Sequence, residues 1–198
     1  MKIDQTAPLE YSTEQNRLNI TGFWIFLGAE IALFGTLFAS YFTLVNRTGG
    51  GPSGADIFEV VPVMLETALL LISSFTIGLG INAMRLGRQR PMIAFFAVTL
   101  LLGLVFLGVE IYDFIVYIHE GATLQTSGFT AILFTLLGTH GLHVAFGLLW
   151  GALIIYQIVK RGLTPETTNK AFIFSLYWHF LDVVWIFIFS FVFLKGMM

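Results

Sequence analysis

Five runs of this chain are each long and apolar enough to cross a lipid bilayer, and nothing else in the sequence limits the fold as strongly. A helical span needs roughly 20 apolar residues. The runs cover about 22–45, 60–84, 92–117, 128–159 and 171–195. In hydrocarbon the backbone polar groups must be paired internally, which leaves helices or closed barrels, and runs of this length are helical. The expected fold is all-α: a polytopic membrane protein with a bundle of five transmembrane helices. A polar N-terminal segment over 1–21 precedes a single transmembrane domain over 22–198. Only 11% of the 198 residues are charged, against about 25% in a soluble domain. There is no cysteine, which excludes disulfides and thiolate metal sites. No basic cluster or recognition motif supports nucleic-acid binding.

The first twenty residues mix charges (Lys2, Asp4, Glu10, Glu14, Arg17) and lack the basic start and short apolar core of a signal peptide. The breaks between runs are chemically clear. Thr48-Gly49-Gly50-Gly51-Pro52-Ser53-Gly54 is a flexible loop. Arg85 to Pro91 is short and basic, and His119 to Ser127 is polar. Arg161-Gly162 and Thr164-Pro165-Glu166 read as a helix stop followed by a start. Lys2, Arg17, Arg85, Arg88, Arg90, Lys160, Arg161 and Lys170 fall on one side of the membrane, and only Arg47 and Lys195 on the other. Positive residues favour the cytoplasm, so the N-terminus is expected inside the cell and the C-terminus outside. Helix packing should use small residues, with Gly28-x-x-x-Ala32 and Gly147-x-x-x-Gly151 as candidates, and the 21 phenylalanines are expected to be mostly lipid-facing.

Ionisable groups stand inside these runs, where each charge costs about 2.5–3.5 kcal/mol on insertion scales. Counting about 1.5 Å of rise per residue puts Glu30, His140, His143, His179 and Asp182 in one layer toward the cytoplasmic half. His140 and His143, like His179 and Asp182, are spaced i, i+3, on one helix face. The leading interpretation is a polar cluster whose members satisfy one another and lock helices together. Proton conduction or buffering by Glu30 is a second. Metal binding by His-x-x-His plus a carboxylate is a third. Bis-histidine haem ligation is a fourth: His140 and His143 cannot both be axial to one haem, but either could pair with His179. Secondary polar groups are Glu66, expected to pair with a hydroxyl such as Thr67 or Thr99, and Glu110 and Asp113, expected to be solvated at the outer interface.

Three stretches also resemble a known family. Phe23-Trp24-Ile25-Phe26-Leu27-Gly28-Ala29-Glu30, Gly138-Thr139-His140-Gly141-Leu142-His143 and Tyr177-Trp178-His179-Phe180-Leu181-Asp182-Val183-Val184-Trp185 are similar to subunit III of the haem–copper terminal oxidases. Glu30 matches the family's membrane carboxylate. The resemblance covers all five spans in order, whereas full-length members have seven, so the chain looks like the short bacterial form. Leu18-Asn19-Ile20, Glu120-Gly121-Ala122 and Lys160-Arg161-Gly162-Leu163-Thr164-Pro165 are most similar to the quinol oxidase subunit III of Bacillus-type bacteria.

The resemblance implies an accessory subunit, not itself catalytic, of a proton-pumping quinol:oxygen oxidoreductase in a bacterial cell membrane. It implies that this chain binds no haem or copper, those centres lying in the catalytic subunit I. It further implies roles in assembly, lipid binding and sustained proton uptake, with subunits I, II and IV and membrane phospholipid as partners. The alternatives are subunit III of a cytochrome c oxidase, a nitric oxide reductase-associated subunit, and an independent transporter or proton channel. The last is disfavoured by the lack of repeats and of paired helix interruptions.

Overall fold

The computed structural model describes residues 7–197; Lys2 and Asp4 lie outside them. A 3-10 turn, Leu9–Tyr11, leads into α1 (Glu14–Leu44). A single short turn, α2 (Gly54–Ile57), precedes α3 (Val60–Arg85), α4 (Gln89–His119), α5 (Gly128–Arg161) and α6 (Pro165–Ile188), which continues as a π-helical segment, Phe189–Leu194. The five helices α1, α3, α4, α5 and α6 are long and apolar enough to cross a membrane.

Helix starts depart from the apolar runs because capping chemistry, not hydropathy, decides them. The Thr13 hydroxyl accepts from the Asn16 N–H at 3.1 Å, so α1 begins at Glu14 within the segment read as a polar lead-in. Thr164 and Thr167 form a reciprocal cap with Pro165 at the first helical position, starting α6 ahead of 171. Ser127 and Thr130 do the same for α5, and Gly162 (φ 72°) ends that helix.

α3, α4, α5 and α6 pack as a closed ring, and α1 lies across α5 and α6. α6 is the innermost: 50% of its apolar window is buried, against 11% for α1. Aromatic side chains with polar tips attach α6 to its neighbours. Trp178 Nε1–H donates to Ser73 Oγ at 2.9 Å, and Trp185 Nε1–H donates to Thr67 Oγ1 at 3.1 Å, so two indoles meet two hydroxyls along α3. The Tyr177 hydroxyl donates to the His143 carbonyl of α5 at 2.9 Å.

The rings need room, and glycines supply it. A Cβ on Gly147 would lie 3.1 Å from both Tyr177 and Trp178, and one on Gly151 would lie 2.7 Å from Leu100 and Phe174. The expected packing role of the second small pair therefore holds. The first does not: Gly28 has nothing within 4 Å of a built Cβ, and it and Ala32 face outward. The phenylalanine expectation holds for most rings, since 14 of the 21 keep intermediate or full exposure, but seven are buried. Phe34, Phe96, Phe106, Phe129, Phe174 and Phe193 are fully or almost fully buried, because the large volume left between glycine-lined helices is filled by rings.

The basic end of the bundle is tied by a polar latch. Asn169 of α6 donates to the Glu10 and Asn16 carbonyls at 3.0 and 3.1 Å. Asn16 donates to the Pro165 carbonyl at 2.8 Å, and Arg85 of α3 pairs with the buried Glu10 carboxylate at 2.8 Å.

Candidate functional site

The structure divides the five expected core groups among three contacts rather than one cluster. The first joins α1 to α5. His143 Nε2 lies 3.2 Å from Glu30 Oε2, and His143 Nδ1 lies 2.7 Å from the Thr139 carbonyl. The carbonyl is acceptor-only, so Nδ1 carries a hydrogen. In a neutral ring Nε2 is then an acceptor facing a carboxyl oxygen. One proton must therefore lie between Nε2 and Oε2 for the hydrogen bond to exist, on the imidazole or on the carboxyl. Phe34, almost fully buried, packs its ring 5.3 Å from His143.

The second contact is interior. His140 is wholly buried, and its Nε2–H donates to the Leu181 carbonyl of α6 at 3.3 Å. Its ring packs against Phe106 and Trp185, with centroids 5.8 and 5.3 Å away. The third contact joins α6 to α3: His179 Nδ1 lies 2.8 Å from Ser74 Oγ and 3.9 Å from Asp182 Oδ2. The shared-cluster expectation fails because residues three apart on a helix still differ by about 60° around its axis. His140 turns into the α4–α6 interior while His143 turns toward α1.

Glu66, Glu110 and Asp113 come together, which the sequence did not suggest. They line one small cavity with Tyr117, Leu137 and Trp185, of about 10 Å³, room for one water molecule. The expected interfacial solvation of Glu110 and Asp113 is corrected: they are 4% and 8% exposed. Helix twist carries both side chains inward despite their nearness to the helix end. Glu66 pairs with neither expected hydroxyl. Thr67 donates to the Val63 carbonyl while receiving Trp185, and Thr99 bonds Thr76 and the Phe95 carbonyl. Gly141 admits the Glu110 carboxyl, which would sit 2.6 Å from a Cβ there.

Ser73 and Ser74 are positioning residues missed in the sequence, as were the roles of Thr67 as acceptor for Trp185 and of Gly141 as the space that admits Glu110. The Ser73-Ser74 pair in the middle of an apolar run was their one visible signal. Among the described residues no three His, Asp or Glu side chains converge in a metal-holding arrangement. Beside His143, an open apolar groove of about 820 Å³ runs between α1 and α5, lined by Phe23, Phe26, Phe146, Leu149, Trp150 and Leu153 among others.

Glu30 is 13% exposed by its side chain, and His143 covers its carboxyl. A hydrophobic carbodiimide should therefore label Glu30 slowly in the native protein and several-fold faster in His143→Ala, as read by mass spectrometry of the adduct. Equal rates would show that His143 does not shield the carboxyl.

Five membrane-crossing helices whose intramembrane polar groups are mostly turned into helix seams define a polytopic helical protein whose polar chemistry is chiefly used in packing. Comparison with known proteins makes this specific. The family of cytochrome c oxidase subunit III matches residues 11–197, and the chain belongs to that family. It is 57% identical over 194 residues to quinol oxidase subunit 3 of Bacillus subtilis, covering 98% of this chain and 95% of that one. It is 47% identical over 191 residues to cytochrome c oxidase subunit 3 of Bacillus sp. (strain PS3), covering 96% and 92%. It is 48% identical over 195 residues to the probable quinol oxidase subunit 3 of Staphylococcus haemolyticus, covering 97% and 96%.

Proposed function

We propose that this chain is the accessory subunit III of a haem–copper quinol oxidase that reduces oxygen to water in a bacterial cell membrane. The 57% identity to a quinol oxidase subunit 3 over nearly the whole chain carries this reading. Its polar groups then serve the complex rather than a reaction of their own. Glu30 and His143 pin α1 to α5 and hold one proton between them at the edge of the apolar groove. The groove's size and lining suit a phospholipid acyl chain. His179 ties α6 to α3 through Ser74, whereas Glu66 Oε1 and the Glu110 and Asp182 carboxyl oxygens are buried in the helix seams with no hydrogen-bond partner among the described residues. The basic end of the bundle faces the cytoplasm, by the bias of Lys and Arg. Subunits I, II and IV are its partners, and the haems and copper reside in subunit I.

The test is co-purification. The chain should be recovered with a haem protein that oxidises quinol. Glu30→Gln removes the ionisable carboxyl and keeps the shape. It should leave the haem optical spectrum unchanged while shortening the number of turnovers before inactivation several-fold. Loss of a haem signal from the correctly assembled variant would overturn the view that this chain holds no redox centre. The match to a cytochrome c oxidase subunit 3 supports a second reading. Oxidation of cytochrome c but not quinol by the purified complex would select it.

A further inference from the structure

We propose that the seam between α3 and α6 around Ser74, Gly78 and His179 is a docking surface for a transmembrane helix of another protein subunit. That helix brings a hydrogen-bonding side chain to the depth of His179, inside the hydrocarbon core. The proposal rests on the chain's being one subunit of an oxidase complex.

His179 lies inside the apolar run 171–195, about 12 Å along the helix axis from its basic end and about 24 Å from the other at 1.5 Å per residue. Its Nδ1 is engaged with Ser74 Oγ at 2.8 Å. Its Nε2 has no hydrogen-bond partner among the described residues, and the side chain is 43% exposed. Whichever tautomer is present, Nε2 is either a donor or an acceptor. A polar group left unpaired in hydrocarbon is costly. Exposed hydroxyls elsewhere on the helices avoid this by closing onto their own backbone: Thr36, Ser40, Thr43 and Thr135 each donate to a carbonyl three or four residues earlier. His143 closes onto its own helix through Nδ1, but in His179 that nitrogen is taken by Ser74 and Nε2, on the far side of the ring, is left outward.

Lipid cannot supply the missing partner, because acyl chains carry no hydrogen-bonding group and the nearer headgroups lie about 12 Å away at the edge of the hydrocarbon core. A protein helix can supply one, and the surface is shaped to admit it. Ser74 and Gly78 are one turn apart on α3. Gly78 is exposed, and nothing lies within 4 Å of a Cβ built there. Such small-xxx-small positions let helix backbones approach closely. Phe75, Leu71 and Val183, 67%, 49% and 51% exposed, supply apolar contact beside the polar centre. The outer face of α5, by contrast, presents Leu142, Phe146, Leu149 and Leu153, a surface lipid alone can cover.

The chain has no cysteine, so single cysteines carrying a benzophenone photo-crosslinker can be placed at will. In the assembled oxidase in its native membrane, Phe75→Cys and Val183→Cys should cross-link to another subunit about ten-fold more than Leu149→Cys does. Gly78→Leu should lower the amount of chain retained per haem about ten-fold, a loss of about 1.4 kcal/mol. An immunoblot should show that the variant still reaches the membrane, and Gly78→Ala should restore retention. Adducts at Phe75 and Val183 confined to lipid, or formed with a second copy of this chain, would overturn the proposal while leaving the subunit reading intact. Failure of the unmodified chain to co-purify with any haem protein would sink the subunit reading, and this surface with it.

Discussion

Replacing Gly103 with leucine should prevent the helical ring from closing. Gly103 lies on α4 against the indole of Trp178, and a Cβ at that position would sit 2.6 and 2.7 Å from two of its ring carbons. The indole cannot retreat: Trp178 is 1% exposed, and its Nε1–H is held by Ser73 Oγ at 2.9 Å. Leu148 closes the third side, 3.1 Å from the same Cβ. Overpacking a close-packed core typically costs about 1–3 kcal/mol, and more where the obstructing group is fixed. The lost tryptophan hydrogen bond adds to that, leaving a buried indole donor unpaired. The chain's steady-state level in the membrane should fall about ten-fold, a drop that a penalty of this size can produce. Gly103→Ala should show a smaller loss in the same direction. Gly28→Ala is the control, since nothing lies within 4 Å of that position. An unchanged level of Gly103→Leu in membranes, with an unchanged melting temperature in detergent, would show that Trp178 is not confined as described.

Asn169→Leu should open the latch at the basic end. The Asn169 amide donates to the Glu10 and Asn16 carbonyls, and its oxygen receives the Asn19 amide at 3.2 Å. The residue is 1% exposed. Leucine has similar volume but removes both bonds, at about 1–3 kcal/mol where a buried group is left unpaired; the Asn16 carbonyl keeps its intrahelical bond within α1. The 3-10 turn at Leu9–Tyr11 should detach from α6, and the start of α1 should fray with it. Trypsin should then cut after Arg17, which the intact latch protects, at least about ten-fold faster, as expected when the open form gains in population. Arg85→Met tests the other half of the latch. Its effect should be smaller, because Arg85 is half exposed and its pair with Glu10 is partly screened. Cleavage at the unmodified rate in Asn169→Leu would place the stability of this end elsewhere.

Several features could be read before any coordinates. The five apolar runs reappear as the five long helices. Glu30 and His143 were expected at one depth, and they meet across α1 and α5. The Gly147-x-x-x-Gly151 pair was expected to pack, and it does, under Tyr177, Trp178 and Phe174. Other expectations required a direction that the pattern does not carry. Glu110 and Asp113 lie near a helix end, which suggested water, yet they turn into a cavity with Glu66. His140 and His143 share a helix face by spacing, yet one is sealed against Phe106 and Trp185 while the other reaches α1. Gly28-x-x-x-Ala32 has the spacing of a packing motif, yet it faces outward.

Helix number and the depth of each polar group follow from composition and from a constant rise per residue. Those are properties of one segment at a time, so the linear chain sets them. The rotation of each helix is different. In a soluble protein an apolar stripe marks the buried face, but lipid is as apolar as leucine, and these helices are apolar all round. Rotation is then decided by shape and by the few available hydrogen bonds between helices. Trp178 fits only where Gly103 and Gly147 leave space and Ser73 offers an acceptor. That fit aims His179 at Ser74 on one side and at the membrane on the other, and it exists only once α3, α4, α5 and α6 are assembled.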